Sequence, residues 1–212
     1  MYKALVVDLD GTLLDTAKTS MTAVNEALRI EGYPQIDEEY FMGICHSGAW
    51  SLMKEAAREE DNEKVDVLYQ KYIDIYCEKF YAPPYPHVKE VLMELKKNGI
   101  KLAVLSNKVI EIVRKQVEAD GLNRYFDFII GEDGTIPLKP NPKGLYMIAD
   151  RFGVAVKEML MLGDAQNDID AAKNAGMDSC FYLPGIGEIT NPNSKPTYKI
   201  KDYRELTQIM LG

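Results

Sequence analysis

Five short apolar runs, at residues 3–9, 102–105, 126–130, 159–162 and 179–183, alternate with stretches of helical periodicity, and this alternation restricts the fold more than any other feature. Each run suits one buried strand and is too short for an ordinary helix. Between them, Val88, Val91, Leu92 and Leu95 fall at i, i+3, i+4 and i+7, as do Leu145, Ile148, Ala149 and Phe152. Each set lines one face of an amphipathic helix. Gly99, Gly121, Gly153 and Gly176 follow helical segments, where a left-handed residue is wanted. Strand, helix, glycine, strand is the rhythm of an α/β fold: a parallel, Rossmann-like sheet with helices on both faces.

One stretch departs from that rhythm. From Thr16 to about Pro83 the sequence offers only helical patterns, the clearest being Val65, Leu68, Tyr69, Tyr72, Ile73, Tyr76 and Phe80. Such a wide apolar stripe marks the buried face of a helix in a bundle. Pro83-Pro84-Tyr85-Pro86 then supplies a stiff linker. The expected organisation is an α/β core of residues 1–15 and 84–212, interrupted after its first strand by a helical domain of residues 16–83.

Charge excludes some partners. A formal charge of −8 without a basic stripe argues against nucleic acid. It leaves small anionic substrates open, because a metal ion and a few local cations reverse the field inside a cleft. Cys45, Cys77 and Cys180 have no metal-ligand spacing and are expected as reduced thiols. The first apolar run stops at Asp8, short of a signal peptide, and nothing approaches the ~20 apolar residues that span a bilayer. The expectation is a cytoplasmic protein without a membrane partner, as a monomer or homodimer.

In open parallel sheets, ligands bind outside the carboxyl ends of the strands. The first run delivers Asp8, Asp10 and Thr12; the second, Ser106 and Asn107; the loop after the third, Lys139; the fourth, Asp164, with Asp168 four residues on. Carboxylates gathered at one edge repel unless a cation joins them or their proton affinity rises. Oxygen ligands without His or Cys favour a hard ion, and Mg²⁺ fits best. A lysine and a hydroxyl beside such a site suit a phosphoryl group. Taken singly these residues have plainer readings: Asp10, Ser106 and Asp164 as helix N-caps, Asp168 as a helix-opening acid, Lys139 as a solvated lysine. Their conjunction at successive strand ends carries the argument.

The segment Asp8-Leu9-Asp10-Gly11-Thr12 resembles the DxDGT signature of the haloacid dehalogenase-like superfamily. Ser106-Asn107-Lys108, Lys139-Pro140 and Gly163-Asp164-Ala165-Gln166-Asn167-Asp168 resemble its second, third and fourth motifs. The helical insert is similar to the cap of the subgroup that holds phosphoglycolate phosphatase, β-phosphoglucomutase and a pyrophosphatase.

The resemblance implies a phosphoric monoester hydrolase acting on a small phosphorylated metabolite. Asp8 would be the nucleophile that becomes an aspartyl phosphate, and Asp10 the general acid and base. Magnesium would be held by Asp8, the main-chain carbonyl of Asp10 and Asp164, with Asp168 one layer further out through water. Ser106, Asn107 and Lys139 would bind phosphoryl oxygens, and Thr12 would secure the turn. Residues 41–48, between two expected helices, resemble the subgroup's specificity loop, so His46 and Ser47 are candidate substrate contacts. Phosphoglycolate-like compounds and sugar phosphates are both open as substrates. A phosphomutase or pyrophosphatase remains an alternative, as does a receiver-like signalling module from outside the enzymes.

Overall fold

The computed structural model describes residues 1–45, 48–79 and 81–212. Six strands form one sheet: β1 (Ala4–Val7), β2 (Lys101–Val109), β3 (Phe128–Glu132), β4 (Met159–Gly163), β5 (Asp178–Tyr182) and β6 (Tyr198–Ile200), in the order β3-β2-β1-β4-β5-β6. Every pairing is parallel. The chain steps outward from β1 through β2 to β3, then returns to the other side of β1 and steps outward again. The reversal falls between β1 and β4, and such a switch point opens a crevice at the carboxyl ends of its two strands.

Side-chain alternation sorts the core into two layers. Leu5 and Val7 point into one, filled by Leu92 and Leu95 of α5 (Val88–Lys97), Val113 of α6 (Ile110–Ala119) and Leu206 of α9 (Glu205–Leu211). Ala4 and Val6 point into the other, against Leu145 and Ile148 of α7 (Lys143–Phe152) and Ala172 of α8 (Gln166–Ala175). A strand buried on both faces reads as a continuous apolar run.

The stretch between β1 and β2 is helical: α1 (Ala17–Ile30), α2 (Glu38–Ile44), α3 (Ala49–Ala57) and α4 (Asn62–Lys79). These helices have a hydrophobic cluster of their own, with Val24, Phe41, Met53, Leu68 and Tyr72 in it, and Val109 and Ile112 join it from the sheet side. Tyr72 and Tyr76 of the expected stripe pack edge to face, with centroids 5.7 Å apart.

Two local features differ from the sequence reading. Residues 41–44 belong to α2 rather than to a connecting loop. Asp37 caps that helix by accepting the Tyr40 N–H at 2.8 Å, Phe41 and Ile44 are buried, and Gly43 lies on the exposed face. Strand β6 has no counterpart among the five apolar runs. At three residues, with an exposed Lys199 at its centre, it is too short to show a period. Among the described residues, no helix is long and apolar enough to cross a membrane.

Candidate active site

The site forms where β1 and β4 end. The Asp8 N–H still donates to the Leu162 carbonyl at 2.9 Å, so sheet pairing extends one residue past β1 and fixes where that carboxylate starts. The chain then turns at Gly11, whose φ of +73° is strained for other residues. A Cβ there would also lie 2.1 Å from Asp164 Oδ2, so only glycine lets the turn and that carboxylate share the space. At the end of β4, a Cβ on Gly163 would lie 2.2 Å from Asp168 Cγ.

Asp164 is held from several sides. Its Oδ1 accepts the Thr12 hydroxyl at 2.9 Å, and its Oδ2 accepts the N–H groups of Ile186 and Gly187, each at 2.8 Å. Thr12 is itself anchored, its carbonyl accepting the buried Tyr203 hydroxyl at 2.9 Å. Thr12 thus braces Asp164. Asp168, in the first turn of α8, accepts the Ala165 N–H through Oδ2 at 3.1 Å and turns Oδ1 to Lys139. Opening a helix and facing the site are compatible for this residue.

Lys139 reaches into the carboxylates from the loop before α7. Its Nζ donates to Asp8 Oδ1 at 2.5 Å, Asp168 Oδ1 at 2.6 Å and the Leu105 carbonyl at 2.9 Å. Asn107 clamps the lysine's backbone: its Oδ1 accepts the Lys139 N–H at 2.7 Å, and its Nδ2 donates to the Lys139 carbonyl at 3.0 Å. Ser106, also buried, accepts the Lys108 N–H at 3.1 Å rather than capping α6. Both residues sit in the irregular stretch of β2 between Leu105 and Val109, where pairing with β3 shifts register. That irregularity frees their polar groups from the ladder.

Oxygens of Asp8, Asp164 and Asp168 all lie within 4.8 Å of one another. Burial pushes Asp8 well above the usual carboxylate range; Lys139 opposes this, and Asp168, Asp164 and Asp10 add to it. Burial and then Asp168 push Asp164 up to about 6, against the bonds from Gly187, Thr12 and Ile186. One lysine therefore leaves the cluster short of positive charge. An all-oxygen set in that state suits a hard divalent cation. The Asp10 carboxylate is not part of the cluster; its Oδ1 accepts from Lys108 Nζ at 2.8 Å.

A cavity of about 100 Å³ lies over these groups. Asp8, Asp10, Ser106, Lys139 and Asp164 form its floor, and Ser20, Phe41, Cys45, Leu52 and Tyr72 of the helical segment form its roof. Burial pushes the Cys45 thiol up to about 11, which keeps it protonated and a poor nucleophile. His46 and Ser47 lie outside the described residues.

The sequence reading gave no role to Lys108, Ser20 or the backbone donors at 186–187. Lys108 was visible beside Ser106 and Asn107. The pair Gly185 and Gly187 after β5 was the available signal for close backbone approach. Nothing marked Ser20 on α1.

A sequence profile described as haloacid dehalogenase-like hydrolase matches residues 5–182. The chain is 36% identical to a phosphoglycolate phosphatase of Vibrio parahaemolyticus, over 98% of its own length and 96% of that protein's. It is 32% identical to a phosphoglycolate phosphatase of Aquifex aeolicus, again over 98% and 96%. The crystal structure of a predicted phosphoglycolate phosphatase from Haemophilus somnus superimposes with a TM-score of 0.89 at 29% identity, covering 98% of this chain and 97% of that one.

Proposed function

The chain belongs to the haloacid dehalogenase-like hydrolase family and is a phosphatase, and from that premise we propose a magnesium-dependent enzyme that hydrolyses a small phosphomonoester of the phosphoglycolate or sugar-phosphate kind. The observation that carries this reading is the Asp8 carboxylate at the mouth of β1, bonded to Lys139 and grouped with Asp164 and Asp168. Relatives named phosphoglycolate phosphatase favour it over the phosphomutase, pyrophosphatase and receiver alternatives.

In the proposed reaction an Asp8 oxygen attacks phosphorus in line, the O–P bond forms, and the ester P–O bond breaks. Asp10 gives its proton to the departing oxygen. It then takes a proton from the water that opens the aspartyl phosphate, returning phosphate and free Asp8. Lys139 and Ser106 hold phosphoryl oxygens, and Asn107 keeps Lys139 in place. Asp8, Asp164 and the main-chain carbonyl of Asp10 would hold magnesium, with Asp168 beside them. When bound, the ion supplies positive charge against the phosphoryl oxygens and the carboxylates that would otherwise repel the substrate.

We assign residues 16–83 as a cap over a core of residues 1–15 and 84–212. His46 and Ser47 remain candidate contacts of that cap with the leaving group. The test is phosphate release from a panel of phosphorylated metabolites. Multiple turnovers that stop on chelation with EDTA and resume with Mg²⁺ support the reading. Full activity in a metal-stripped sample, or rearranged product without net phosphate, contradicts it.

A further inference from the structure

Resting on the phosphatase reading, we propose that Lys108 is the positioning residue for Asp10. Its ammonium holds one carboxyl oxygen, Oδ1, so that the other, Oδ2, faces the departing oxygen and carries the proton.

Asp10 is the least secured carboxylate of the site. Asp8, Asp164 and Asp168 are buried, and each is bonded by another side chain of the floor. The Asp10 side chain is 30% exposed and stands outside their cluster. Among the described residues its carboxylate has one side-chain partner, Lys108, whose Nζ donates to Oδ1 at 2.8 Å. A general acid must stand within hydrogen-bond reach of the oxygen that leaves, and a small displacement is expensive. A carboxyl free to rotate needs a tether for that task. This tether takes Oδ1 and leaves Oδ2 to a ligand, in a residue that lines the cavity.

Lys108 is itself held at both ends. Its backbone N–H donates to Ser106 Oγ at 3.1 Å, on the irregular stretch of β2. Its head lies where the sheet edge meets the helical segment, with the side chain only 8% exposed. There Nζ donates to Ser20 Oγ of α1 at 3.2 Å. Tyr76 of α4 takes the remaining side, its hydroxyl bonding the ammonium and its ring centroid lying 4.5 Å away. Three N–H groups thus meet three oxygens. A buried ammonium is costly unless paired, and one with no N–H to spare has nothing to offer a substrate. What it does instead is hold Asp10 still. It also assists the transfer: negative charge grows on the Asp10 carboxyl as the proton leaves, and a fixed cation at Oδ1 stabilises that charge. The same tether keeps the carboxylate in place for the water that opens the aspartyl phosphate.

The test uses the leaving group. Acetate leaves acetyl phosphate without a proton, whereas an alkoxide must receive one, so only an alkyl ester demands a well-placed acid. Lys108→Met and Lys108→Gln should lower kcat/KM roughly 10–100-fold on the alkyl phosphate hydrolysed fastest in the panel, because a misplacement of about 1 Å costs on the order of 10²-fold. On acetyl phosphate the loss should stay within about threefold. A double-mutant cycle on the alkyl ester gives a second reading. Because Lys108 acts through Asp10, Asp10→Asn combined with Lys108→Met should stay within about threefold of Asp10→Asn alone. No loss on the alkyl ester, equal losses on the two esters, or losses that multiply in the double variant overturn this inference. Lys108 would then serve only the packing of the helical segment, and the phosphatase reading would stand. A parent that releases phosphate from no phosphomonoester overturns the phosphatase reading itself.

Discussion

The floor and the roof of the cavity are built by opposite rules. On the floor nearly every functional atom is held more than once: Lys139 Nζ donates to three oxygens, and Asp164 accepts from three donors. These residues come from separate strand ends and are brought together only by the sheet. The roof comes from one continuous stretch between β1 and β2, is mostly apolar, and meets the floor's charges chiefly through Ser20 and the Tyr76 ring. A floor over-determined in this way fixes a reaction, because misplacing one group disturbs several partners. A roof that fills space can change its side chains without touching the chemistry. The floor should therefore govern turnover and the roof the choice of substrate.

The sharpest way to break that division is at the nucleophile. Asp8→Asn keeps the shape of the side chain and removes both its charge and its nucleophilicity, so kcat should fall by more than ~10³-fold. Circular dichroism should find the fold unchanged. Turnover comparable to the parent would end the covalent mechanism, and with it the claim that the floor does the chemistry.

Asp10→Asn should rank next. One residue is asked to give and then take a proton, and such groups contribute roughly 10²–10⁴-fold. Burst kinetics would register slowing of both halves of the reaction. A variant within about threefold of the parent would mean that another group moves the proton.

Legibility in the sequence also divides between floor and roof. Strands buried on both faces read as apolar runs, and the polar residue that ends each run marks the sheet edge, so the run boundaries alone place Asp8, Ser106 and Asp164 there. The fold adds what side chains do over distance. Lys108 touches Ser20 across 88 positions, and no local pattern encodes that reach. The donors to Asp164 from Ile186 and Gly187 are backbone groups, which leave no side-chain signal. Residues 41–44 are expected between two helices, but the Asp37 cap and the buried pair Phe41 and Ile44 keep them in α2. β6 was too short and too polar to be seen.

A smaller effect separates the two surfaces thermodynamically. In the metal-free protein Asp8 and Asp164 have raised proton affinity, Asp164 up to about 6, so the folded state binds more protons than the unfolded chain. Their contribution to stability is fully present below the unfolded carboxylate range near 4 and is lost as pH rises through about 6. The metal-free Tm should accordingly fall between pH 5 and pH 7.5. Magnesium should raise Tm by several degrees at pH 7.5, at about 2–4 °C per kcal/mol for a chain of this size. It should do less at pH 5, where protons compete for the same oxygens. Equal increments at the two pH values, or none, would show that these carboxylates do not bind the ion. Substitutions on the roof, such as Leu52→Ala, should leave that difference between the increments in place.

The last and smallest contrast sets one hydroxyl of the floor against one of the roof. Ser106 and Ser20 are both buried, and both line the cavity. Ser106 stands beside Lys139 at the phosphoryl end, where a donor aimed at developing charge is worth roughly 10²–10³-fold in rate. Ser20 accepts from Lys108 Nζ at 3.2 Å and approaches the Tyr76 hydroxyl at 3.4 Å, so it steadies the meeting of core and helical segment. A net contribution of about 0.5–1.5 kcal/mol is typical of such a bond and corresponds to roughly a 2–10-fold change. Ser106→Ala should therefore lower kcat strongly, while Ser20→Ala should act chiefly through KM and by the smaller factor. Steady-state kinetics of both variants on the substrate found by the phosphate-release panel decides the matter. A Ser20→Ala enzyme that loses as much kcat as Ser106→Ala would show that the roof takes part in the chemical step, and the division between the two surfaces would not hold.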